Sequence, residues 1–172
     1  VLLAFLNERS NQESFAAVSP LLKSEDTQVK KQAYQTLSTL VDNQDIETLI
    51  SLLDETDSEN LPYLQKALIS AAGSGDAQTL GKIKAELEKS DDKKSAKLLP
   101  VLAGIGDKST LSIAKSYLDN SSTKTAAINA LSNWSTEDAL PELITLSRSE
   151  KGENLSILVD GLIKQISKSA IT

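Results

Sequence analysis

Apolar residues along this chain recur at intervals of three and four, the period of an amphipathic helix, and no stretch alternates as a half-buried strand would. The stripes come in pairs. A first set reads Phe15, Val18, Leu22; Ile46, Leu49, Ile50, Leu53; Leu80, Ile83, Leu87; Leu111, Ala114, Leu118; and Leu140, Leu143, Ile144. Each is followed by a second: Val29, Ala33, Leu37, Leu40; Leu61, Leu64, Leu68, Ala72; Ala96, Leu99, Ala103; Ala127, Ala130, Leu131, Trp134; and Leu155, Leu158, Val159, Leu162, Ile166. Short polar breaks at 24–26, 54–58, 90–92, 120–123 and 149–153 separate the two members of each pair. The pattern predicts an all-α chain of helix–turn–helix units.

A junction recurs between the pairs: a turn, a capping residue, then an apolar residue four positions on. It begins at Asn11, Asp45, Asp76, Asp107 and Thr136, with spacings of 34, 31, 31 and 29 residues. Asn, Asp and Thr side chains accept hydrogen bonds from the free N–H groups of a first helical turn, so each junction reads as a helix start. Gly73-Ser74-Gly75 and Gly104-Ile105-Gly106 precede two of them and supply left-handed residues that end the helix before. The predicted units are 11–44, 45–75, 76–106, 107–135 and 136–168, with 1–8 as the remnant of a preceding unit. Together they form a single domain, since an apolar stripe on a two-helix unit must be covered by its neighbour. Pro62 and Pro141 fall in first turns, where the missing N–H costs nothing, whereas Pro20 and Pro100 are expected to kink the helices that contain them.

Charge changes the picture little. The net charge is −6, distributed as −7 over 1–60, +3 over 61–130 and −2 over 131–172, and only Arg9 and Arg148 are arginines. That argues against a nucleic-acid surface, which needs a concentrated basic face. No run approaches the roughly 18 apolar residues of a membrane span. An opening Val within the apolar stretch 1–6 leads to the expectation that the chain is a segment of a longer protein. The absence of Cys excludes disulfides and thiolate chemistry, and suits a bacterial cytoplasmic or periplasmic protein equally.

Two stretches resemble HEAT repeats of the short bacterial type. Residues 14–40 (SFAAVSPLLKSEDTQVKKQAYQTLSTL) look like one unit, with Pro20 in the first helix, Asp26 between the helices, and Val29-Lys30 where the family favours Val-Arg. Residues 126–144 (AAINALSNWSTEDALPELI) are similar to bacterial HEAT junctions, in which a Trp near the end of a second helix precedes a short turn. The resemblance implies an α-α superhelix, a right-handed solenoid of about five HEAT-like repeats. It also implies a non-catalytic scaffold or protein–protein interaction module. The alternative it carries is an accessory segment of an enzyme whose catalytic domain lies outside this chain, as in bilin lyases.

The chemistry-bearing inventory is thin. With no His, neither His-based catalytic dyads nor His metal sites exist within the chain, and no catalytic, cofactor or metal residues are assigned. Asp54, Asp57, Glu59 and Asn60 begin with calcium-loop spacing but lack its central Gly and distal Glu, so they read as a polar inter-helix turn. Asp91-Asp92 and Glu137-Asp138 read as helix starts. Trp134 reads as core, with a binding platform as the other reading. The resemblance places second helices on the concave face. Opposite their apolar stripes lie Lys31, Gln35, Tyr63, Lys66, Lys94, Lys97, Lys124 and Asn129, a mildly basic surface suited to a protein or extended peptide of acidic character.

Overall fold

The structure is a computed structural model whose backbone is described over residues 11–73 and 76–169, so the remnant expected at 1–8 and the pair Ser74-Gly75 lie outside the described residues. Every regular element among the described residues is helical: α1 (Asn11–Val18), α2 (Thr27–Leu40), α3 (Ile46–Leu52), α4 (Leu61–Ala72), α5 (Ala77–Lys89), α6 (Asp92–Ile105), α7 (Leu111–Ser116), α8 (Lys124–Ser132), α9 (Leu140–Ser147) and α10 (Gly152–Ser169). Three 3-10 turns accompany them, at Ser19–Lys23, Lys108–Thr110 and Glu137–Ala139. The chain divides into two compact units, Val1–Glu86 and Leu87–Thr172, with the division in the last turn of α5.

Helix starts follow the capping logic where the backbone permits it. The Asp26 carboxylate accepts from the N–H groups of Gln28 and Val29 at 2.9 and 3.2 Å, and that of Asp91 from Lys94 at 2.8 Å. Asp76 accepts from Gln78 and Thr79, and Asp107 from Ser109. Such a cap contributes about 1 kcal/mol. Asp45 departs from this expectation. Its backbone is already helical (φ −82°, ψ −7°), and the side chain turns back to accept from the Asp42 N–H at 3.0 Å. Thr136 also fails to cap, its hydroxyl lying against the Gly106 carbonyl and the Asp138 carboxylate instead.

Helix ends follow the glycines: Gly106 is left-handed (φ 68°, ψ 23°) and its N–H closes on the Leu102 carbonyl at 2.9 Å. Gly73, at φ 55°, ends α4. Pro20 does not sit inside an α-helix as expected; α1 stops at Val18, and Pro20 lies in the first turn of the 3-10 segment that follows. Pro100 does lie within α6.

In the first unit α2 runs beside α4, while α1 packs on α2 and α3 on α4. In the second unit α6 lies beside α8 and α8 beside α10, with α7 on α8 and α9 on α10. Within each unit, second members of successive pairs therefore pack on each other. The core between them is aliphatic. Leu37, Leu49, Leu53, Leu64 and Leu68 are fully buried in the first unit, as are Leu98, Leu99, Leu131 and Leu143 in the second. Each buried side chain of this size contributes about 2 kcal/mol. Trp134 is core, with none of its surface exposed. Ile144, Val159 and Ile166, placed in apolar stripes by their spacing, are exposed at 41%, 43% and 56%.

Candidate functional site

Polar side chains on the second helices reach across to the next layer at a nearly constant sequence distance. In the first unit, Lys30 of α2 donates to Asp57 (2.8 Å), Lys31 to Glu59 (2.7 Å), and the Gln35 amide to the Tyr63 hydroxyl (3.2 Å), at separations of 27 or 28 residues. The Ser70 hydroxyl of α4 donates to the Ser38 carbonyl at 2.7 Å. The second unit repeats the arrangement. Asn120 donates to Asp92, Thr125 of α8 to Asn154 of α10, and Lys124 lies 2.7 Å from Glu150. Toward the far end, Lys164 donates to the Asn133 side chain and the Gln165 amide to the Trp134 carbonyl, both at 2.7 Å and both 31 residues apart.

This ladder tells where the expected surface residues lie. Lys31, Gln35 and Tyr63 come together on the α2–α4 face, and Lys66 is exposed on α4. Lys94 and Lys97 are half-buried on α6, while Asn129, exposed on α8, donates to the Thr125 carbonyl of its own helix. Lys31 and Lys124 carry acidic partners one layer on, which lowers the net positive character of the face.

The electrostatics follow from those partners. The Glu59 carboxylate holds the Lys31 ammonium above its usual range, and Asp57 does the same for Lys30. Lys30 and the Asn60 N–H in turn hold the Asp57 carboxyl down at about 2. Glu150 is lowered by Lys124, then by Asn154. Asp45, only 8% exposed, is pushed the other way by burial.

Sequence reasoning missed the acceptors of the ladder. Asp57 and Glu59 read as a polar inter-helix turn, and Asn133 and Asn154 were given no role. The signal was present: a base near the start of one second helix, then an acid 26 to 28 residues later, at Lys30/Asp57, Lys31/Glu59 and Lys124/Glu150.

Several concavities mark the described residues, among them one of about 600 Å³ bordered by Lys108, Glu137, Asp138 and Pro141. One, of about 190 Å³, lies between α8 and α10 and is lined by Asn129, Ser132, Asn133, Ile157, Asp160, Gly161 and Lys164. Another, of about 320 Å³, is bordered by Val41, Asp42, Asn43, Asp76 and the end of α4. Among the described residues no group of three or more Asp and Glu side chains is arranged to hold a metal ion. No helix there is long and apolar enough to cross a membrane. No family model, curated protein or solved structure matches the chain.

Proposed function

We propose that the chain is a HEAT-like α-solenoid, a right-handed superhelix of about five two-helix repeats, acting as a non-catalytic scaffold that holds a protein or extended peptide along its second-helix faces. One observation carries the reading: in both units second helices pack side by side, tied by polar bridges spaced about one repeat apart. Such layers present a rigid row of side chains whose spacing is set by the backbone, which suits recognition of an extended ligand better than enclosure of a small substrate. Lys31, Gln35, Tyr63 and Lys66 form that row on the first unit, and Lys94, Lys97, Lys124 and Asn129 on the second.

An acidic ligand has to compete with the protein's own carboxylates for Lys31 and Lys124. The ion pairs are at least partly exposed, so solvent screening leaves them open to displacement. Binding of extended acidic peptides, followed by fluorescence anisotropy at low salt, tests the proposal. Alanine at Lys31, Lys66, Lys94 and Lys97 together is expected to weaken affinity about tenfold. Glu59→Gln, which releases Lys31, is expected to tighten it. Unchanged affinity in the fourfold variant would sink the assigned face.

A further inference from the structure

Helix α10 carries an exposed aliphatic stripe on the side turned away from α8. Its inner side is identified by contacts: Gly161 lies against Ser132, Lys164 donates to Asn133, and Gln165 and Lys168 donate to the Trp134 carbonyl. At about 100° per residue, Val159, Ile163 and Ile166 point almost opposite to those four, within an arc of roughly 60°. They are exposed at 43%, 61% and 56%, and Leu155 and Leu162 border them half-buried.

The stripe continues an interface the second unit already uses. The side of α8 that meets α10 carries Ser132, covered by Gly161, and Asn133, which accepts from Lys164. The side of α10 turned the same way, away from the layer before it, bears Val159, Ile163 and Ile166 and stands exposed.

The charge beside it is reversed relative to α2 and α8. On α2 and α8 the groups reaching to the following layer are bases, Lys30, Lys31 and Lys124, answered there by Asp57, Glu59 and Glu150. On α10 the shoulder of the stripe carries exposed Glu153, Ser156, Asp160 and Ser167, while Lys164 and Lys168 reach toward α8. A helix with acids in the places used by the earlier layers would meet like charge here.

We infer that the outer face of α10 docks an amphipathic helix of a partner protein, one with an aliphatic stripe flanked by Lys or Arg. The aliphatic stripe supplies the burial, and the basic flank, set against Glu153 and Asp160, supplies the selectivity and the salt dependence. This surface shares no residue with the lysine-bearing face proposed above, so either assignment can fail alone.

The test uses the full chain and two labelled synthetic helical peptides of identical aliphatic stripe, one flanked by Lys and Arg and the other by Glu, in fluorescence anisotropy. The basic peptide is expected to bind saturably and about tenfold more tightly at low salt, the gap narrowing as salt is added. Ile163→Asn with Ile166→Asn is expected to abolish binding while leaving the thermal melt in place, since both side chains are exposed. Glu153→Lys with Asp160→Lys is expected to reverse the preference between peptides. Failure of both peptides to bind, equal binding of the two, or a preference untouched by charge reversal would each overturn the inference. So would binding to lipid vesicles in place of the peptides. A dimer in sedimentation that Ile163→Asn with Ile166→Asn converts to monomer would equally overturn it, because a second copy would then be the occupant.

Discussion

Gly106 illustrates how tightly a single residue can be specified. Its φ of 68° strains any L side chain, and a Cβ there would run into the Ser135 hydroxyl. The two penalties act together, so Gly106→Ala is expected to lower stability by about 2–3 kcal/mol in urea unfolding. Asp57 matters through its charge. Its folded carboxyl is depressed from 3.8 to about 2, so the folded state favours the ionised form. That contribution is present above about pH 4 and is lost as pH falls toward 2, and Glu150 acts in the same direction. Asp45 acts oppositely. Its raised carboxyl stabilises the fold below its unfolded value of 3.8, and the contribution is lost as pH rises through the folded value. Asp57→Asn is therefore expected to flatten the acid limb of the pH–stability curve. Thermal melts between pH 2 and pH 5 check this; an unchanged limb would show that the Lys30–Asp57 bridge contributes nothing measurable.

Among the helices, two interior glycines have opposite meanings. Gly81 of α5 has open space where a Cβ would go, so Gly81→Ala is expected to stabilise by up to about 1 kcal/mol through helix propensity. Gly161 of α10 lies against Ser132, where a Cβ would fall 2.5 Å from the Ser132 Cβ. Gly161→Ala is expected to push α10 off α8 and destabilise by about 1–3 kcal/mol. Calorimetric melts of the two variants should move in opposite directions. Sequence alone does not separate these glycines, because each stands in a helical stretch; what differs is a neighbour supplied by a distant segment. The helices themselves were legible, since their stripes and polar breaks are local properties. Two caps were misread because the side-chain type at Asp45 and Thr136 does not reveal the backbone angle or the competing acceptor that decides whether it caps.

Across the whole molecule, the all-helical class and most of the core followed from periodicity, with Trp134 correctly placed inside. The exposed Val159 and Ile166 did not, because a stripe records which face is apolar and not whether a partner covers it. The electrostatics around the candidate residues were not legible. Lys31 and Lys124 read as available bases until folding brought Glu59 and Glu150 beside them from the next layer.

Within each unit, second helices of successive pairs lie side by side in a register of about one repeat. Since the chain has no native Cys, thiol cross-linking tests it with little interference. Cysteine pairs at Gln35 and Tyr63, and at Thr125 and Asn154, stand where side chains now meet at 3.2 and 3.1 Å. Pairs shifted by one helical turn, Thr39 with Tyr63 and Asn129 with Asn154, serve as controls. A short bifunctional thiol reagent is expected to close the two in-register pairs rapidly and the shifted pairs much more slowly. Equal rates, or faster closure of the shifted pairs, would contradict the layered arrangement.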